Sequence, residues 1–212
     1  MSAFAGKAGE RTLESWAQRF RVELSAGARE CLLAYGELLL AWGDRINLTA
    51  AKSRESLIME HLPDSFAIAA GLNRRGTAVG EIVDVGSGGG LPAIPLALLR
   101  PNDRFTLIEA TGKKVAFLRT AVREMGLSDR VRVEHRRMGH PGEETGAFDV
   151  AMSRAMLAPP EWMALARHLV RVGGAVFCLG TAELATPVEG LRWVDQLSYR
   201  PDRWVTELER ST

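Results

Sequence analysis

The run Asp84-Val85-Gly86-Ser87-Gly88-Gly89-Gly90-Leu91-Pro92 sets alternating glycines behind an acidic residue and ahead of an apolar stretch. Glycine lets a backbone turn sharply and approach a ligand, and a helix opening there offers unpaired N–H groups to a carboxylate or phosphate. A second carboxylate, Glu109, stands 23 residues after Gly86. At the carboxyl end of a neighbouring strand it can accept hydrogen bonds from both hydroxyls of a ribose. Together these residues describe a site for an adenosine-bearing cofactor. A dinucleotide fingerprint needs glycine where Leu91 stands, so nicotinamide chemistry is disfavoured.

Such a loop works only between a strand and a helix of an α/β fold, and the surrounding pattern supplies both. From Glu81 onward short apolar runs alternate with helical segments, which predicts a parallel sheet with crossover helices. The expected strands are Glu81–Val85, Arg104–Ile108, Arg130–Glu134, Phe148–Met152 and Ala175–Leu179, with helices near Pro92–Leu99, Lys113–Met125 and Glu161–Val170. Two alternating stretches, Leu191–Tyr199 and Arg203–Leu208, could close the sheet as an antiparallel pair. Residues 1–75 read as helices. Leu13, Trp16 and Phe20 form one stripe, and a second helix capped by Ser25 carries Cys31, Leu32, Tyr35, Leu38, Leu39 and Trp42. A third begins near Ser53, bends or restarts at Pro63, and stops at Gly71. The expected organisation is a helical N-terminal extension, 1–75, and a Rossmann-like domain, 76–212, with a hinge at Arg74–Gly80.

Asp84-x-Gly86-x-Gly88-x-Gly90 resembles the S-adenosylmethionine loop of class I methyltransferases. The longer run from Asp84 to Leu96, with prolines at 92 and 95, is similar to that of bacterial small-subunit ribosomal RNA guanine-N7 methyltransferases, the glucose-inhibited division protein B family. Further similar stretches are Asn47-Leu48-Thr49, His61-Leu62-Pro63-Asp64-Ser65, Glu109 followed by Lys113-Lys114-x-x-Phe117-Leu118, and Phe148-Asp149-Val150 leading to Ser153-Arg154-Ala155. The resemblance spans roughly Leu33 to Gly180. It implies a class I methyltransferase sheet with a helical extension, S-adenosylmethionine as cofactor, and N7 of a guanine in the decoding-region loop of 16S rRNA as target. Asp84, Gly86, Gly88, Leu91, Glu109 and Arg154 would then surround the cofactor, with Met138 and Gly139 flanking its adenine. Two positions depart from the family. Gly139 stands for an acidic residue, and Leu179, before Gly180, for a lysine beside the substrate pocket. Arg137 and Arg192 are the nearby arginines considered as replacements.

Guanine N7 carries a lone pair and no proton at neutral pH, so no general base is expected, and positioning alone can supply ~7–11 kcal/mol. Lys113 and Lys114 fall in a first helical turn, where the macrodipole disfavours cations, and are candidate RNA contacts with Arg137. Ten basic residues against five acidic ones between Arg100 and Arg137 could track phosphates; the alternative is a solvated face. His61 reads more readily as a packing residue than as a ligand, bracing the extension against the cofactor loop with Asp64 and Ser65. Cys178 could suggest a thiolate nucleophile, but no second cysteine follows the fourth strand. No metal site is expected.

Composition bounds these readings. Of 212 residues, 46% are apolar and 25% charged, which excludes wholesale disorder, and the net charge of +1 means that any RNA must be met by a local patch. Cys31 and Cys178 are too few for a disulfide framework. With no signal peptide and no span-length apolar run, the expectation is a cytoplasmic monomer without membrane partners. Two alternatives stay open: the same fold with a different RNA or small-molecule substrate, and a silent RNA-binding paralogue.

Overall fold

The structure is a computed structural model and describes residues 7–211 except 44–45, 47, 49–50, 52, 139–144, 155 and 185–187. The apolar runs form β1 (Glu81–Val85), β2 (Arg104–Glu109), β3 (Val131–His135), β4 (Phe148–Arg154) and β5 (Val170–Gly180), followed by β6 (Leu191–Arg200) and β7 (Arg203–Arg210). They make one seven-stranded sheet in the order β3-β2-β1-β4-β5-β7-β6. The first five strands run parallel, and β7 lies antiparallel between β5 and β6. The alternating stretches at the C-terminal end therefore do pair as expected. Successive crossovers leave β1 toward β2 on one side and reach β4 on the other, so the order reverses between β1 and β4. In an open parallel sheet such a reversal leaves a crevice at the strands' carboxyl ends.

Helices cover both faces, which is why the central strands are apolar almost throughout. On one face lie α5 (Ala93–Leu99) and α6 (Gly112–Glu124), with α1 (Lys7–Phe20), α2 (Ala26–Gly43) and α4 (Leu62–Arg75) over them. Leu13, Leu32, Leu39, Phe66, Leu96, Phe105, Phe117 and Phe177 share that core. On the other face α7 (Pro159–Leu169) buries Trp162 and Met163 with Val83, Ala151 and Val176, and the Trp162 indole N–H donates to Phe177 O at 2.9 Å. Ser25 caps α2, its Oγ accepting the Ala28 N–H at 3.1 Å.

Two expectations for the extension need correction. The third helical segment runs from a single turn, α3 (Arg54–Ser56), through a π-helical turn over Leu57–His61 into α4. The irregularity precedes Pro63, which has no N–H to bond back to the preceding turn. Gly71 does not stop α4: a Cβ there would lie 2.9 Å from Glu207 Oε2 and 3.1 Å from a Phe177 ring carbon, so this glycine lets the helix sit close on the sheet. Nor is Arg74–Gly80 loose. Asp103 accepts the N–H groups of Val79 at 2.6 Å and Gly80 at 3.2 Å. Buried Arg100 bonds Asp103 at 2.7 Å, Asn73 Oδ1 at 2.5 Å and Gly76 O at 3.0 Å.

Candidate active site

The glycine loop leaves β1 into the crevice. Gly86 and Ser87 donate to Ile108 O at 2.9 and 3.1 Å, which turns the chain across the end of β2. Gly86 has φ +74°, and a Cβ on it would come within 2.9 Å of Met156 Cγ, so the loop needs glycine for its conformation and for close approach. The extension holds this loop from outside. Tyr35 of α2 donates its hydroxyl to Gly89 O at 2.6 Å, and Ser65 of α4 donates to Pro92 O at 2.9 Å. The helix start is poorer in donors than the sequence suggested. Pro92 and Pro95 have no N–H, and that of Ile94 is bonded to Gly90 O at 2.7 Å.

Two carboxylates face this loop in opposite electrostatic states. Asp84, in β1, is 1% exposed, and its Oδ2 has no hydrogen-bond partner among the described residues. Burial pushes its pKa up to about 7. Glu109, at the end of β2, accepts the N–H of Gly88 at 2.9 Å and that of Thr111 at 2.8 Å. Burial opposes its ionisation, but these bonds and the Lys114 charge outweigh it, so its pKa lies below the ordinary range. Glu109 thus fastens the loop it was expected to serve, and its remaining lone pairs could still meet a ribose. Leu91 is buried at the loop's end, and Met138 is buried in the second core with Val85 and Ile108. Gly139 lies outside the described residues.

Across the crevice Arg154 ends β4. Its Nη1 bonds Asp64 Oδ2 at 3.2 Å, while the Tyr199 hydroxyl of β6 donates to Asp64 Oδ1. Tyr199 also meets the rings of Trp16 and Phe20 edge-on, which ties α1 into the same support. Asp64 therefore anchors the Arg154 guanidinium, and Ser65 reaches the cofactor loop, so the brace read from the sequence has two contacts. Ser153 donates to Val85 O at 2.8 Å and joins the ends of β4 and β1. Beside Arg154 opens a cavity of about 320 Å³, lined by His61, Asp64, Arg154, Leu179, Gly180, Thr181 and Arg203. Arg203 begins β7 and is brought there because β7 pairs antiparallel with β5, Gly180 facing Trp204. Sequence reading missed Tyr35, Tyr199 and Arg203, because each acts through strand or helix pairing distant in the chain.

The arginine-rich stretch divides. Arg100 is 3% exposed on Asp103, and Arg130 donates to the carbonyls of Ala97, Arg100 and Asp103. Arg132 and Arg136 both pair with Glu134, at 3.0 and 2.7 Å. Much of the expected phosphate track therefore pairs internally, at the sheet's edge or its amino end. Lys113 and Arg137 are exposed, and Lys114 is half-buried near Glu109. Arg192 pairs with Glu209 at 2.6 Å, so Arg203, and not Arg192, stands beside Leu179. Cys178 is buried and its thiol is pushed up to about 11, which leaves it protonated at neutral pH.

A strand order reversed at a glycine loop, with an acidic residue closing the second strand, defines the S-adenosylmethionine-dependent methyltransferase fold. A methyltransferase of that dependence from Aquifex aeolicus superposes with a TM-score of 0.54 at 13% identity, covering 74% of this chain and 93% of the other. The family model for rRNA small subunit methyltransferase G, GidB, matches residues 28–207, and the chain belongs to that family. Ribosomal RNA small subunit methyltransferase G of Halorhodospira halophila is 36% identical over 197 residues, 93% of this chain and 86% of its own. The protein of the same name from Pseudomonas putida is 34% identical over 211 residues, covering all of this chain and 91% of its own. Among the described residues no helix is long and apolar enough to cross a membrane.

Proposed function

We propose that this protein uses S-adenosylmethionine to methylate N7 of a guanine in the decoding-region loop of 16S rRNA, acting on the small ribosomal subunit. The observation that carries the cofactor is Asp84, a fully buried carboxylate whose Oδ2 finds no partner among the described residues, aimed at a glycine loop. A buried carboxylate oxygen left unpaired is costly, and an ammonium would satisfy it. Asp84 would hold the methionine amino group, Glu109 the ribose, and Gly86, Gly88 and Leu91 the backbone path between them. Met138 would pack against the adenine, with Gly139 beside it. When bound, the cofactor supplies a methyl group carried on a positively charged sulfur.

The chain then has only to bind and orient. N7 offers a lone pair without a proton, so neither His61 nor Cys178 is needed as base or nucleophile. Arg154, fixed by Asp64 and Tyr199, stands where the crevice meets the cavity and would orient the target against the cofactor. Lys113, Lys114 and Arg137 lie on the elements that follow β2 and β3 and would engage phosphates around it. Small subunits from a strain lacking this gene, incubated with radiolabelled S-adenosylmethionine, should yield labelled 7-methylguanosine in 16S rRNA. Absence of label from a preparation that binds the cofactor would refute the substrate.

A further inference from the structure

His61 is 6% exposed, and neither of its ring nitrogens has a hydrogen-bond partner among the described residues. It ends the π-helical turn, a local irregularity of the kind that occurs often at functional sites. The same imidazole lines the cavity beside Arg154, Arg203 and Leu179. A buried donor and acceptor left open toward a cavity await a polar ligand, since a packing role is served better by an apolar ring.

We propose that this cavity receives the target guanine and that His61 is its specificity-determining hydrogen-bond partner, a role resting on the proposed methylation of that base. A volume of about 320 Å³ lies at the small end of ligand pockets, room for one extruded nucleoside and not for a duplex. Burial, with the Arg154 charge adding to it, lowers the His61 pKa to about 4, so the ring is neutral in the working range. A neutral imidazole offers one N–H and one lone pair. Guanine presents the matching pair, the O6 acceptor beside the N1–H donor. The groups facing His61 are Glu60 and Asp64 from its own helical segment, Arg154 from β4, and Arg200 and Arg203 from the β6–β7 hairpin. Arg154 and Arg203 are about one quarter exposed, positions from which guanidiniums can meet the phosphate of a base held on His61.

The test compares His61→Phe, which keeps a ring and removes both nitrogens, with His61→Asn, which restores a neutral donor and acceptor. Each is assayed for thermal midpoint, S-adenosylmethionine affinity, and kcat/KM on unmethylated small subunits. The expected result is a folded His61→Phe protein with cofactor affinity within about threefold of wild type and kcat/KM lower by about 10- to 100-fold, partly recovered in His61→Asn. If His61→Phe is misfolded, His61→Asn carries the comparison through its pH profile. That profile should match wild type between pH 6 and 8, because a neutral hydrogen-bond partner does not titrate there. Wild-type kcat/KM in His61→Phe, cofactor affinity falling in step with activity in both variants, or a wild-type limb near pH 6.5 that vanishes in His61→Asn would each overturn the role. Wild-type protein that transfers no methyl to the subunits would instead defeat the proposed function, and this inference with it.

Discussion

Asp84 and Glu109 are both carboxylates facing one loop, yet their surroundings set them apart. Glu109 has two backbone N–H donors and stays ionised; Asp84 has an unpaired oxygen and is half protonated near pH 7. The folded pKa of Asp84 lies above its unfolded value, so the unliganded fold binds an extra proton and loses stability as pH rises from about 4 through 7. An ammonium at Oδ2 favours the carboxylate, and binding then releases that proton. S-adenosylmethionine affinity should therefore rise about fivefold from pH 6 to pH 7. Calorimetry in buffers of different ionisation enthalpy would report the released proton. Asp84→Asn should bind more weakly and lose this slope; a slope that survives the substitution refutes the assignment.

Among the elements, α2 and α4 act as the outer wall of the cofactor loop. Tyr35 and Ser65 hold the carbonyls of Gly89 and Pro92, which a solvent-exposed loop would leave to water. Tyr35→Phe leaves the Gly89 carbonyl without that buried donor and should cost about 1 kcal/mol in denaturant unfolding. Its larger mark should be on the ligand. A loop released from the extension binds S-adenosylmethionine about three- to tenfold more weakly by titration, because ordering it is then charged to binding. Unchanged affinity in a folded Tyr35→Phe protein would show that the extension does not tune the loop.

For the molecule as a whole, the extension and the sheet are one packed body. Arg74 and Arg75 at the end of α4 bond Glu207 at 2.8 and 2.6 Å, and Arg75 also reaches Glu209 at 3.1 Å. Glu207 is 3% exposed, so its charge is tolerable only while both arginines are present. Glu207→Ala strands the less exposed Arg75 and should cost about 2 kcal/mol, less than a fully buried pair because Arg74 remains half in solvent. For a chain of this size that is a fall in Tm of roughly 6 °C, readable by calorimetry. The clamp holds β7 to α4 and thereby keeps Arg203 at the cavity mouth. Methyl transfer by Glu207→Ala should accordingly fall more than cofactor binding does.

What the sequence determined by itself was local. Strand positions, the alternating end pair, the glycine loop and its acidic partner follow from apolar period and glycine spacing over a few residues, and the structure places Asp84, Gly86, Glu109 and Arg154 around one crevice. Single-residue signals misled where packing overrides them: Gly71 reads as a helix stop but serves close approach, and much of the arginine surplus is used in internal pairs. Only the tertiary structure decided which side chains meet across long separations. Tyr35 against Gly89, Tyr199 against Asp64, and Arg203 beside Leu179 depend on helix docking and antiparallel pairing, which no local pattern records. The same holds for His61, whose open nitrogens become meaningful only once the fold shows that a cavity, and no protein donor or acceptor among the described residues, lies beside them.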